Sequence, residues 1–121
     1  MEKHAIVHLD IPAGDPAAAS KFYGDLFGWN IAVDKSYDYY MFRPEQGPGG
    51  GFVKAGEGEM DYKVGEVLIY VSTDDIDATL ARVEELGGKT LAPKTAIPGV
   101  GAFAFFADPA GNRIGLFTGN V

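Results

Sequence analysis

The chain has 121 residues, no cysteine and a formal net charge of −7, with 10 Lys and Arg against 17 Asp and Glu. That length makes one domain, able to bury about two-thirds of the surface its unfolded form exposes, and the missing cysteines exclude disulfides, zinc thiolate sites and thiol nucleophiles together. An acidic chain offers no basic footprint for nucleic acid, no apolar run approaches the ~18 residues of a membrane span, and the absence of a basic-then-apolar leader makes cytoplasmic residence the expectation.

His4–Ile11 alternates, with Ala5, Val7, Leu9 and Ile11 on one face and His4, Ile6, His8 and Asp10 on the other, the period of a strand packed on one side. Asp15 then Pro16 reads as an N-cap with proline at the first helical position. Ala18, Ala19, Phe22, Tyr23, Leu26 and Phe27 follow at helical spacing, and Gly28 ends that helix. Short strands are expected over Trp29–Val33, Tyr37–Pro44 and Gly51–Ala55. A polar connector, 56–64, leads to a strand with Val67, Ile69 and Val71 on its apolar face and Leu68, Tyr70 and Ser72 on the other. Asp74 or Asp75 then caps a helix carrying Ile76, Leu80, Val83 and Leu86, which stops at Gly87-Gly88. Strands at Lys89–Leu91, Gly101–Ala107 and Arg113–Thr118 complete the series, the last two joined by the turn Asp108–Asn112.

The order occurs twice. His8–Trp29 lies over Leu68–Lys89 without a gap, matching Asp15 to Asp75, Ala18 to Ala78, Leu26 to Leu86 and Gly28 to Gly88. A repeat of this length is one supersecondary unit used twice, each copy needing cover for an apolar face. The expectation is an α+β fold of two β-α-β-β-β modules, about 1–56 and 65–121, within a single domain. The helices pack on the faces of Val7/Leu9 and Val67/Ile69. The opposite faces, with His8 and Asp10 in one module and Leu68 and Tyr70 in the other, become the inner wall of one cup-shaped open barrel. Concave, partly apolar walls with a few polar groups bind small molecules.

His8 followed by Asp15, Phe22-Tyr23, Leu26–Trp29, Val71–Asp77, Leu86–Gly88 and Asp108–Leu116, in that order over essentially the whole chain, resemble the vicinal oxygen chelate superfamily. That superfamily includes glyoxalase I, bleomycin-resistance proteins and extradiol dioxygenases. The resemblance implies the glyoxalase/bleomycin-resistance/dioxygenase fold and a homodimer. In its metal-using members the first and last strands of each module supply one ligand apiece, commonly His or Glu. Carried over position by position, those sites are His8, Leu68, Gly51 and Gly115. Only His8 keeps a donor, whereas zinc and first-row metals take three or more protein ligands. No metal and no other cofactor is therefore expected. A divalent metal is the alternative, rescued by a loop carboxylate from Glu45, Glu57, Glu59 or Asp61.

His8 and Asp10 are the catalytic candidates, since same-face neighbours on a strand let a carboxylate orient or charge an imidazole that works as a base near neutral pH. The bland alternative is a strand histidine satisfied by its neighbour. Candidate ligand contacts are His8, Asp10, Leu68, Tyr70, Phe105, Arg113, Gly115 and Phe117, with Phe103 competing with Phe105 for the inward register and members of Tyr37–Phe42 adding aromatic wall. Gly47–Gly51 lacks the Lys-Ser/Thr of a phosphate loop, and no serine has a triad context. Three functions follow. The first is a metal-free protein binding a small aromatic or partly apolar molecule, as in the bleomycin-resistance branch. The second is a glyoxalase-type lyase or isomerase using His8 and Asp10 or an atypically held metal. The third is a structural or interaction protein with a vestigial cup.

Overall fold

The computed structural model describes residues 4–56 and 60–119, so Glu57 and Glu59 lie outside the described residues. The elements run β1 (Ile6–Ala13), α1 (Pro16–Phe27), β2 (Asn30–Asp34), β3 (Tyr39–Arg43), β4 (Gly49–Lys54), β5 (Leu68–Ser72), α2 (Ile76–Glu85), β6 (Lys89–Ile97), β7 (Gly101–Ala107) and β8 (Arg113–Gly119). This is β-α-β-β-β twice, the α+β arrangement the duplication predicts. Among the described residues no helix is long and apolar enough to cross a membrane.

Both helices start as their sequences dictate. The Asp15 carboxylate accepts from the Ala18 N–H at 3.2 Å with Pro16 in the first turn, and Gly28 closes α1 in the left-handed region at φ 72°. In α2 the cap is Asp75, not Asp74, accepting from the Ala78 N–H at 3.0 Å. The Asp75 N–H donates to Thr73 Oγ1 at 3.3 Å, which fixes the approach to the helix.

The chain divides into two compact units. Residues 8–68 form the first, with strand order β2-β3-β4-β1, in which β1 and β4 are parallel and the other pairs antiparallel. Its interior is a run of rings. Tyr23 stacks on Trp29 at 5.5 Å and on Phe52 at 5.4 Å, and Trp29 stacks on Phe42 at 4.6 Å. The second unit joins residues 69–119 to 4–7, with strand order β5-β8-β7-β6. Its core is aliphatic: Ile76, Leu80, Ala102, Ala104 and Leu116, with Val71 and Phe106 packed against it. Residues 4–7 are tied in by the His4 N–H to the Ser72 carbonyl at 2.7 Å and the Ser72 N–H to the Ala5 carbonyl at 2.8 Å.

Several boundaries differ from expectation for local reasons. β4 begins at Gly49, before the expected Gly51, because the glycines are strand residues in close approach: a Cβ on Gly50 would lie 1.9 Å from the Leu9 carbonyl oxygen. β6 continues through Pro93 to Ile97, with register shifts between Thr90 and Ala92 and between Ala92 and Thr95. A bulged strand accommodates proline without breaking. Val67 falls outside β5 and is half exposed.

Candidate functional site

In the first unit, β1 and β4 lie side by side with Asp10 opposite Gly51. Tyr39, on β3, reaches diagonally across β4, and its ring lies over Gly51 so closely that a Cβ there would meet Tyr39 Cζ at 1.9 Å. The Tyr39 hydroxyl donates to Asp10 Oδ1 in a short hydrogen bond. His8 Nε2 lies 2.7 Å from the same hydroxyl and 3.1 Å from Asp10 Oδ1. His8 Nε2 thus stands within hydrogen-bond distance of both the phenol and the carboxyl group, its donor or acceptor role set by the tautomer. The predicted pairing of His8 with Asp10 therefore exists, but as part of a three-residue cluster completed by Tyr39.

Asp10 is 4% exposed, so the face of β1 expected to be the polar one holds a buried carboxylate. Burial without partners would be costly; the phenol and imidazole supply them. Burial, then the adjacent Asp10 charge and hydrogen bond, push the Tyr39 phenol far above the ordinary tyrosine range, so it stays protonated and donating. The Tyr39 role could be sought in sequence from volume complementarity, a glycine on one strand facing a bulky neighbour. Choosing Tyr39 within Tyr37–Phe42 required the strand order.

The second unit repeats the device with another strand. Tyr70 on β5 is register partner to Gly115 on β8, and a Cβ on Gly115 would meet Tyr70 Cδ2 at 2.4 Å. Tyr70 lies 6.0 Å from Phe105, Phe103 lies 5.3 Å from Phe105, and the Arg113 guanidinium stands 5.4 Å from the Phe105 ring centroid. Phe117 is opposite Phe103 in register. The structure thus gathers Tyr70, Phe105, Arg113, Gly115 and Phe117 within one unit. Tyr70 and Phe105 are buried, while Arg113 and Phe117 are half-buried; Leu68, in the first unit, is 2% exposed.

A cleft of about 530 Å³ opens in the first unit, lined by Asp15, Tyr37, Asp38, Tyr39, Tyr40, Phe52, Lys54, Met60 and Tyr62 among others. Sequence reasoning included the tyrosines of Tyr37–Phe42 as wall candidates but treated the connector as polar spacer, and so missed Met60 and Tyr62. The Tyr62 carbonyl accepts from the Gly56 N–H at 2.9 Å, which draws this part of the connector back toward β4.

The metal centre of the resembling family does not fit this donor set. Gly51 and Gly115 bear tyrosine rings in the space a ligand side chain would need, Leu68 has no lone pair, and His8 Nε2 is engaged by Tyr39 and Asp10. Among the described residues no group of three or more His, Asp, Glu or Cys could hold a metal ion. Of the loop carboxylates, Asp61 lies 3.8 Å from the Lys63 ammonium and both are exposed.

Residues 5–116 match the family model described as Glyoxalase/Bleomycin resistance protein/Dioxygenase superfamily. A glyoxylase-like domain-containing protein of Didymella fabae is 32% identical over 91% of this chain and 90% of its own length. The anthracycline biosynthesis protein DnrV of Streptomyces peucetius is 30% identical over 93% of this chain; the match takes in 46% of that protein, so the chain spans less than half of it. Among solved structures, methylmalonyl-CoA epimerase from Mycobacterium tuberculosis superposes with a TM-score of 0.68 over 96% of this chain and 88% of that one, at 15% identity. At that identity the likeness is one of fold.

Proposed function

The chain belongs to the Glyoxalase/Bleomycin resistance protein/Dioxygenase superfamily, and within it we propose a protein that binds a small aromatic or partly apolar molecule without a resident metal. The observation that carries this reading is the pair of tyrosine rings seated on Gly51 and Gly115, which replace donor atoms with aromatic surface at both closing-strand positions. The tyrosine-lined cleft beside Tyr39 supports it, because concave apolar walls with few polar groups suit such ligands. Ligand contacts are assigned to His8, Asp10 and Tyr39 in the first unit, and to the half-buried Arg113 and Phe117 beside Tyr70, Phe105 and Gly115 in the second. Leu68 contributes apolar backing. The two modules make one domain, expected to work in the cytoplasm as a homodimer. Phe22, Leu26 and Phe27, each more than half exposed on α1, are the apolar surface that favours pairing.

Thermal-shift measurements with a panel of substituted phenols, indoles and naphthols test the reading. A ligand at ~100 times its dissociation constant adds about 2.7 kcal/mol of stability, so at least one class should raise Tm, and Tyr39→Ala should reduce the effect. The reading is overturned if no class raises Tm while about one equivalent of Ni, Zn, Fe or Mn per chain co-purifies and is lost with His8→Ala.

The hydrogen-bonded cluster of imidazole, carboxylate and phenol favours a second reading, a lyase or isomerase that moves a proton next to a carbonyl. His8, one-third exposed, is its base, and Asp10 and Tyr39 hold it in place. Incubation with a thiol adduct of an α-ketoaldehyde in deuterated water should then give deuterium incorporation that His8→Ala abolishes. Equal incorporation with and without protein rejects it.

A further inference from the structure

We propose that the first-unit cleft is an aromatic cage for an organic ammonium cation, so that the ligand of the preceding section, on which this inference rests, carries a positive charge on its apolar body. Among the described residues, four of those lining the cleft are tyrosines: Tyr37, Tyr39, Tyr40 and Tyr62. Electron-rich ring faces attract cations electrostatically, most strongly where water is displaced. Tyr37 comes from the β2–β3 turn, Tyr39 and Tyr40 from β3, where successive side chains take opposite faces, and Tyr62 from the connector, so three separate segments supply the tyrosines.

The charged groups around these rings agree in sign. Among the described residues, Asp15 and Asp38 line the cleft against one cation, Lys54, and the Lys54 ammonium donates to the Gly14 carbonyl at 2.7 Å. An anionic ligand would face two carboxylates and a lysine already engaged. A cationic ligand faces ring π-clouds and net negative charge, in a chain whose overall charge is −7.

Backbone conformation places these groups deliberately. Asp38 sits at φ 51° and Asp61 at φ 50°, left-handed conformations that non-glycine residues rarely hold. Asp38 follows Tyr37 and precedes Tyr39 in sequence, and Asp61 lies between Met60 and Tyr62. Each aspartate is thus the turning point of a segment that delivers tyrosine to the cleft, and aspartate tolerates that conformation better than most residues.

The test uses three probes of one size class on the intact chain: benzyltrimethylammonium, benzyl alcohol and benzoate, followed by chemical-shift changes of the tyrosine ring protons. The expected result is binding of benzyltrimethylammonium about tenfold tighter than benzyl alcohol, with benzoate weakest, the preference of about 1.4 kcal/mol that a desolvated cation–π site supplies. Asp38→Asn, which keeps the left-handed turn, should weaken the cation about threefold to tenfold and leave benzyl alcohol unchanged. Tyr62→Phe should retain cation binding and Tyr62→Leu should lose it. Benzyl alcohol binding as tightly as benzyltrimethylammonium, with shifts at the same rings, overturns the cationic ligand while leaving an aromatic-binding cleft intact. Shifts confined to rings outside the cleft for all three probes overturn both.

Discussion

In the first module the buried Phe52 ring packs against two others, Tyr23 at 5.4 Å and Phe42 at 5.2 Å. In the second, the space under α2 is filled by Ile76, Leu80, Ala102, Ala104 and Leu116. The strand plan is the same, yet the interior against α1 is flat aromatic surface and that against α2 mainly aliphatic. The contrast extends to the tyrosines over the glycines. Tyr39 meets Gly51 with the tip of its ring and is pinned by hydroxyl bonds to Asp10 and His8, whereas Tyr70 meets Gly115, its direct register partner, with the base of its ring. A duplicated frame preserves backbone geometry and leaves the side-chain filling free to diverge, provided total volume is kept.

The largest expected effect comes from emptying each interior. Phe52→Ala should destabilise by about 4 kcal/mol and Leu80→Ala by about 3 kcal/mol in denaturant unfolding. Only Phe52→Ala should also remove most of the near-ultraviolet circular dichroism, because the stacked rings are in its module. Equal spectral loss in both variants would break the contrast between the cores.

Filling the glycines comes next. Gly115→Ala and Gly51→Ala should each cost about 2 kcal/mol through overpacking. The rescue should differ. Tyr39→Ala should relieve most of the Gly51→Ala cost, since the ring tip is what intrudes. Tyr70→Ala should relieve Gly115→Ala but leave a larger cavity, because Tyr70 is buried. Additive double mutants in both modules would mean that the rings are not what the glycines accommodate.

Much of this frame was legible because its signals are local. Asp15, Asp75 and Gly28 act at their own helix ends, and Asp108 accepts from the Ala110 and Asn112 N–H groups at 2.9 Å within its turn. The gap-free alignment carried the β-α-β-β-β order. The site was legible only to the pair His8 and Asp10, two residues apart. Tyr39 joins them from β3 through the pairing of β3 with β4 and β4 with β1, and no periodicity reports a contact made across two neighbouring strands. The strand expected over Lys89–Leu91 erred in the other direction, since β6 runs on through Pro93 to Ile97 with register shifts along the way.

A smaller effect tests the Tyr39 hydroxyl. Tyr39→Phe removes a donor from a buried carboxylate and should cost about 2 kcal/mol. In a spectrophotometric titration Tyr39 should ionise above the ordinary tyrosine range, and Tyr39→Phe should remove that late component. The sign follows from linkage. Tyr39 has its folded value raised above the ordinary 10.0, so its contribution is complete below that pH. It is lost as pH climbs toward the raised value, where the unfolded chain has released a proton the folded chain keeps. The wild type should therefore lose stability above about pH 10 more steeply than Tyr39→Phe does.

The smallest difference lies between the caps, which are alike in geometry. Asp15 stands at φ −134° and ψ 94°, Asp75 at φ −144° and ψ 97°, and each accepts from the N–H three residues on. Asp15→Ala and Asp75→Ala should accordingly cost about 1 kcal/mol apiece. Their surroundings differ, because Asp15 lines the tyrosine cleft and Asp75 does not. Asparagine caps a helix as well as aspartate while removing the charge, so Asp15→Asn should leave thermal stability nearly unchanged and still weaken benzyltrimethylammonium about threefold. Asp75→Asn should alter neither. If the two asparagine variants bind the cation equally well, the Asp15 carboxylate serves its helix alone, and the selectivity of the cleft rests on Asp38 and the rings.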